Sequence, residues 1–151
     1  CPCCFARAGE APKEDPSLSE INAWLDRLLE LGEERPFNIQ LSGGEPTVRD
    51  DLPDIIRLAR EKGFEYVQIN TNGRRLAEEP GYGASLAAAG ASVIFLQFDG
   101  TRDSIYQELR GEPLLEKKNK AIEQCGLAGL PVTLVPTVVR GLNLDNIGEM
   151  L

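Results

Sequence analysis

The sequence contains no histidine. That absence excludes histidine-based catalytic triads, histidine–zinc sites and the commonest general base in one step. Positive charge is also scarce: Lys and Arg number 16 against 24 Asp and Glu, a formal net charge of −8. Nucleic-acid backbones and anionic membrane surfaces both demand clustered Lys and Arg, so neither is an expected partner. No apolar run approaches the about 18 residues a membrane-crossing helix needs. No basic segment followed by an apolar stretch marks the N-terminus, so no signal peptide is read and a cytoplasmic location is expected. With 151 residues the chain is long enough to bury a core as one domain without disulfide staples.

Four cysteines are present, and three of them crowd into the opening "CPCCFA": Cys1, Cys3 and Cys4, with Cys125 far away. Three adjacent thiols cannot form an ordinary disulfide framework with one distant partner. Without export signals, such a cluster reads as metal binding or redox chemistry. Cys1 and Cys4 form a C-x-x-C, the usual half of a zinc site. The other half would need another close Cys or His pair, but there is no histidine and Cys125 is a single residue on a later helix. Ala121 and Ile122 stand at helical spacing from it, which places Cys125 in a core.

Along the chain, "ARAGEAPKEDP" (6–16) reads as a loop. Ser17 and Glu20 make an S-x-x-E capping box before a helix whose apolar residues Ile21, Trp24, Leu25, Leu28 and Leu29 recur at helical spacing until Gly32. "FNIQL" (37–41) is the first strand. "DDLPDIIRLAREKG" is a helix with Asp50 as cap and Gly63 as stop. Strands follow at 66–70, 92–98 and 131–139, with helices over 83–89, near 103–109 and near 114–128. "LDNIGEML" begins another helix, with Asn143 or Asp145 as its cap. Strands alternating with helices predict a parallel sheet built by right-handed crossovers. The strands are rich in Val, Ile, Leu and Phe, as expected of strands covered on both faces. The fold class expected is α/β, a partial (βα) barrel, with 1–151 a single core domain that is a segment of a longer protein.

Ligands of parallel α/β folds bind at the carboxyl ends of the strands. Here those ends read "SGGEP", "TNG" and "FDG". Each alone is ordinary turn chemistry. Together, behind a cysteine cluster, they read as one binding rim. The charged positions Glu116, Lys117, Lys118 and Lys120 read as solvated helix surface. Arg140 reads equally as surface or as a partner for a carboxylate.

An iron–sulfur cluster needs several thiolates and no histidine. "CPCCFA", "LSGGEPTVRDDLPDII", "QINTNG" and "LQFDG", in that order, resemble the radical SAM (S-adenosylmethionine) superfamily. Its signature is C-x-x-x-C-x-x-C, and Cys1 and Cys4 match the last two positions, with the first falling four residues before Cys1. Cys3 stands where the family usually places an aromatic residue, and Phe5 follows instead. "QLSGGEPT", "VQINTNG", "LQFDG" and "LVPTVVRGLN" are also similar to a narrower group, the pterin methyltransferases of methanogens and the tetraether lipid synthases.

The resemblance implies a [4Fe–4S] cluster held by Cys1 and Cys4 with S-adenosylmethionine on its open iron. It further implies reductive cleavage to a 5′-deoxyadenosyl radical that abstracts hydrogen from a substrate, in a methyl transfer or carbon–carbon bond formation. Candidate cofactor-binding residues are Phe5, Gly43, Gly44, Glu45, Asn70, Asn72, Gln97 and Asp99. Gly43, Gly44 and Glu45 offer acceptors to the cofactor's ammonium; Asn70, Asn72, Gln97 and Asp99 suit a ribose diol; Phe5 and the stretch Val135–Val138 suit the adenine. The expected partners are a small-molecule or lipid-like substrate and an electron donor such as ferredoxin or flavodoxin. Two other classes remain open on the residues alone: a zinc or redox module, and a non-catalytic nucleotide-binding domain.

Overall fold

The computed structural model describes residues 15–31 and 38–150. Helix α1 (Leu18–Leu31) starts on the anticipated capping box. The Glu20 carboxylate accepts from the Ser17 amide at 2.8 Å and from its hydroxyl at 2.6 Å, and the Glu20 amide donates back to Ser17 Oγ at 3.3 Å. Strand β1 (Asn38–Leu41) leads through a 3-10 turn (Pro46–Val48) to α2 (Leu52–Glu61). Strand β2 (Tyr66–Thr71) follows, then α3 (Arg74–Glu78), α4 (Tyr82–Ala89), β3 (Val93–Gln97), α5 (Asp103–Arg110), α6 (Leu115–Leu127) and β4 (Val132–Val135).

The four strands are parallel and lie in the order β1-β2-β3-β4. A sheet whose spatial order equals its chain order steps the same way at each crossover. Right-handed crossovers then put the helices on one side, as in a barrel and unlike a doubly wound sheet. Side chains of α2, α3, α4 and α6 join Val67, Ile69, Ile94 and Leu96 of the sheet in one apolar core. The partial-barrel expectation holds.

The expectation of apolar residues on both strand faces does not. β2 alternates between buried Val67, Ile69, Thr71 and partly open Gln68, Asn70, and β3 sets buried Ile94 and Leu96 against partly open Phe95 and Gln97. The register aligns Gln40 with Gln68, Asn70 with Phe95 and Thr133, and Gln97 with Val135 on the side away from the helices. One face is therefore apolar and helix-covered, and the other mixes Gln40, Gln68, Asn70, Gln97 and Thr133 with Val93, Phe95 and Val135.

Local corrections have physical causes. The cap of α2 is Asp51, not Asp50. The Asp51 carboxylate binds Arg49 at 2.9 and 2.8 Å rather than the helix end, and Asp50 reaches Arg75 instead. β4 ends at Val135 because Pro136 has no amide hydrogen to donate. The stretch Leu144–Glu149 forms a 3-10 helix rather than an α-helix. Helix α3 has too few residues to show a period and was not anticipated from the sequence. The buried Cys125 sits in the core cluster as its helical spacing implied, and burial pushes its thiol up to about 11.

Candidate functional site

The carboxyl ends of β1, β2 and β3 do converge. Past β1, the chain runs through exposed Gly43 and Gly44. Gly43 adopts φ +154°, and nothing lies within 4 Å of where a Cβ would stand. This backbone is open to a ligand, with no side chain covering its carbonyls.

Glu45 ends the turn and reaches across to the exit of β2. Its Oε1 accepts from the Thr47 amide at 3.1 Å, the Thr47 hydroxyl at 2.6 Å and the Thr71 hydroxyl at 2.6 Å; Oε2 accepts from the Asn72 amide at 2.7 Å. The carboxylate thus welds two strand ends together, and only Oε2 keeps substantial acceptor capacity. The "TNG" stretch folds on itself. Thr71 Oγ1 accepts from the Gly73 amide at 3.0 Å, and Asn72 Oδ1 accepts from the Arg74 amide at 2.9 Å, which opens α3. Gly73 has φ +77°, and a Cβ there would lie 2.4 Å from Leu96 Cδ1, so a side chain is doubly disfavoured. Asn70 lies on the lumen face with its amide 3.4 Å from Ser42 Oγ. A cleft of about 540 Å³ opens outside this rim, lined by Glu45, Asn72, Arg74, Arg75 and their neighbours.

At the exit of β3, Asp99 is fully buried. Arg110 of α5 grips it with two parallel bonds, Nε to Oδ2 at 2.8 Å and Nη2 to Oδ1 at 2.9 Å. The Thr137 amide adds a third at 3.0 Å, and Gln97 Nε2 donates to Oδ2. Arg110 also reaches Thr137 Oγ1 at 2.9 Å. Asp99 therefore ties β3, α5 and the segment after β4 together. Its carbonyl accepts from Asn143 Nδ2 at 2.9 Å. Asn143, considered as a helix cap, makes no capping bond and instead stitches Asp99, Thr137 and Val139 into one turn.

Lys118 overturns a sequence expectation. It is 1% exposed, not solvated surface. Its Nζ donates to the Asn72 carbonyl at 2.6 Å and to Gln97 Oε1 at 3.1 Å. Burial pulls its ammonium down to about 8, against the opposing pull of Asp99. Lys117 keeps its surface role beside Glu78, and Glu116, Lys120 and Arg140 are exposed. One chain of hydrogen bonds thus crosses the rim: Glu45, Asn72, Lys118, Gln97, Asp99, Arg110, Thr137. Glu45, Asn72, Gln97 and Asp99 were legible as candidates; Lys118, Arg110 and Thr137 were not. Periodicity held the only signal for Lys118, since it shares the helix face of Ala121 and Cys125.

Phe5, Cys1, Cys3 and Cys4 lie outside the described residues. Among the described residues no group of three or more His, Cys, Asp or Glu side chains can hold a metal.

The radical SAM superfamily profile matches residues 1–151. The chain belongs to the radical SAM superfamily. This family uses a [4Fe–4S] cluster and S-adenosylmethionine. The 7,8-dihydro-6-hydroxymethylpterin dimethyltransferase of Methanocaldococcus jannaschii is 44% identical over 100% of this chain and 30% of its own length. The GTP 3′,8-cyclase of Synechococcus elongatus is 30% identical over 100% of this chain and 46% of its own. The structure of native anSMEcpe with bound AdoMet matches with a TM-score of 0.65 at 19% identity, over 97% of this chain and 44% of that one. The chain thus spans less than half the length of these radical SAM relatives. Among the described residues, no helix is long and apolar enough to cross a membrane.

The donor set suits the family's cofactor. Open backbone carbonyls and a carboxylate with remaining acceptor capacity stand at the β1 exit, where an ammonium needs acceptors. Side-chain amides of Asn70 and Gln97 lie on the lumen face beside them.

Proposed function

We propose that this chain is the S-adenosylmethionine-binding core of a radical SAM enzyme that modifies a small heterocyclic substrate, a reduced pterin being the first candidate. The continuous hydrogen-bonded rim at the strand ends carries the reading, because it presents acceptors at β1 and amides at β2 and β3 on one open face. The pterin assignment is supported by the named activity of the methanogen relative. Gly43, Gly44 and Glu45 would hold the cofactor's ammonium, and Asn70, Asn72 and Gln97 its ribose. Cys1 and Cys4 would hold two irons of the cluster.

Bound there, the cofactor pair would supply radical chemistry for hydrogen abstraction. The chain's own part is positional. The Glu45 bridge fixes the β1 turn against β2, and the Asp99–Arg110 pair fixes the β3 exit, so the reacting atoms are held without reorganisation. A ferredoxin or flavodoxin would deliver the electron.

The test is anaerobic reconstitution of the whole protein with iron and sulfide, followed by electron paramagnetic resonance after reduction. A [4Fe–4S]⁺ signal that changes on adding S-adenosylmethionine is expected, with 5′-deoxyadenosine formed when 7,8-dihydro-6-hydroxymethylpterin is supplied. A cluster blind to the cofactor would refute the core assignment; 5′-deoxyadenosine release indifferent to the pterin would refute the substrate.

A further inference from the structure

Lys118 stands where three costs coincide. Its side chain is 1% exposed, and removing an ammonium from water is expensive. It lies in the first turn of α6, where the helix dipole repels a cation. Arg74 of α3 and Arg110 of α5 add like-charge repulsion, offset by Asp99 at the β3 exit and Glu45 at the β1 exit. The Tyr106 ring of α5 lies 6.0 Å from Nζ. A methionine in its place would fill the same volume at none of these costs.

The compensation lies at the rim. Nζ donates to the Asn72 carbonyl at the β2 exit and to Gln97 Oε1 at the end of β3. An ammonium only donates, and a carboxylate only accepts. Gln97 sits between the two, so its amide has one permitted orientation: oxygen toward Lys118, nitrogen toward Asp99. Without an Nζ donor Gln97 is held only by Asp99; loss of the charge alone leaves two neutral N–H bonds to Asn72 and Gln97, weaker than the charge-assisted ones.

We propose that Lys118 is a positioning residue for S-adenosylmethionine: its buried ammonium locks Asn72 and Gln97 into the arrangement that receives the nucleoside, and binding follows its charge. This rests on the cofactor reading above. It goes beyond that reading by assigning a role to a residue outside the cofactor-binding set named there.

Two probes separate the proposal from its foundation. S-adenosylmethionine carries its own amino group, which titrates near about 8 as α-amino groups do. 5′-Methylthioadenosine has the same nucleoside and no such group. Equilibrium dissociation constants would be measured for both on the cluster-loaded protein from about pH 7 to about pH 9.5, for the wild type and for Lys118→Met. The expected wild-type result is weakening of 5′-methylthioadenosine binding by about three- to tenfold, with a midpoint near 8 as Lys118 loses its proton. Lys118→Met should bind both probes about tenfold more weakly at about pH 7 and show no midpoint with the nucleoside. If the variant does not fold, the wild-type nucleoside profile alone decides. A flat wild-type profile, or a folded Lys118→Met that binds as tightly as wild type, overturns the positioning role while leaving the cofactor site intact. Absence of S-adenosylmethionine binding to the wild type at every pH overturns the cofactor reading, and the inference falls with it.

Discussion

Replacing Arg110 by methionine removes the guanidinium that grips the fully buried Asp99 with two bonds. Asp99 would keep the Thr137 amide and the Gln97 amide as donors but lose both guanidinium bonds. Removing one partner from a buried pair typically costs about 3–5 kcal/mol, because the other charge is left uncompensated. Arg110 is itself 12% exposed, so some solvent already screens the pair, and the lower end applies. The expected loss is about 3 kcal/mol. With a urea dependence of about 2 kcal/mol per molar, the unfolding midpoint should fall by about 1.5 M. Asp99→Asn should cost less, about 1–2 kcal/mol, since Arg110 can turn toward water. The double variant should cost less than the sum of the two, with a coupling of about 1.5–3 kcal/mol. Urea titrations followed by circular dichroism measure all three. A midpoint shift in Arg110→Met below about 0.3 M at unchanged slope, with additive costs, would mean the pair behaves as a surface ion pair and is not a brace of the β3–β4 rim.

Four further outcomes follow from the same contacts. Gly73→Ala should lower stability by about 1–3 kcal/mol, read as a melting-temperature drop of about 3–10 °C, because φ is +77° and the new methyl meets Leu96 at 2.4 Å; an unchanged melt would show that this turn relaxes freely. Glu45→Gln turns an acceptor set into a mixed one facing four donors, two hydroxyls and two amides. It should cost about 1–3 kcal/mol in denaturant and weaken S-adenosylmethionine binding in calorimetry. Cys125 should resist iodoacetamide at about pH 8 in the native protein and react once unfolded, as peptide mass spectrometry would resolve, because its thiol is buried and raised to about 11. Lys118 has a folded-state value of about 8, below its ordinary 10.5, so the folded protein releases the proton first. Stability relative to Lys118→Met should therefore rise with pH between about 8 and about 10.5, by at most about 3 kcal/mol, in chemical denaturation. A falling difference over that window would reverse the burial argument.

Local chemistry was legible where short-range rules suffice. Ser17 and Glu20 make their capping box without help from the rest of the chain, because both partners lie within one turn. The alternation of strand and helix, with "SGGEP", "TNG" and "FDG" at the strand ends, carried the parallel sheet and the rim. The order of those motifs behind "CPCCFA" carried the family. Several assignments were lost for definite reasons. α3 is only Arg74–Glu78, shorter than any period can register. Asp50 and Asp51 are equivalent as caps on paper, and the choice fell to Arg49 and Arg75, whose placement is tertiary.

The sequence by itself determined the α/β order and the polar strand exits, since each depends on residue types within a few positions of one another. Only the tertiary structure decided what those exits do for each other. Glu45 bridges 26 and 27 residues forward to Thr71 and Asn72, Lys118 reaches back 46 residues to Asn72, and Asp99 waits 38 residues for the Thr137 amide. Residue type does not distinguish Lys118 from Lys117 or Lys120; the one local hint is its helical spacing from Ala121 and Cys125. What separates them is the direction of one helical face against the sheet. An ammonium turned inward must find acceptors or lose its charge, and packing placed two of them at the rim.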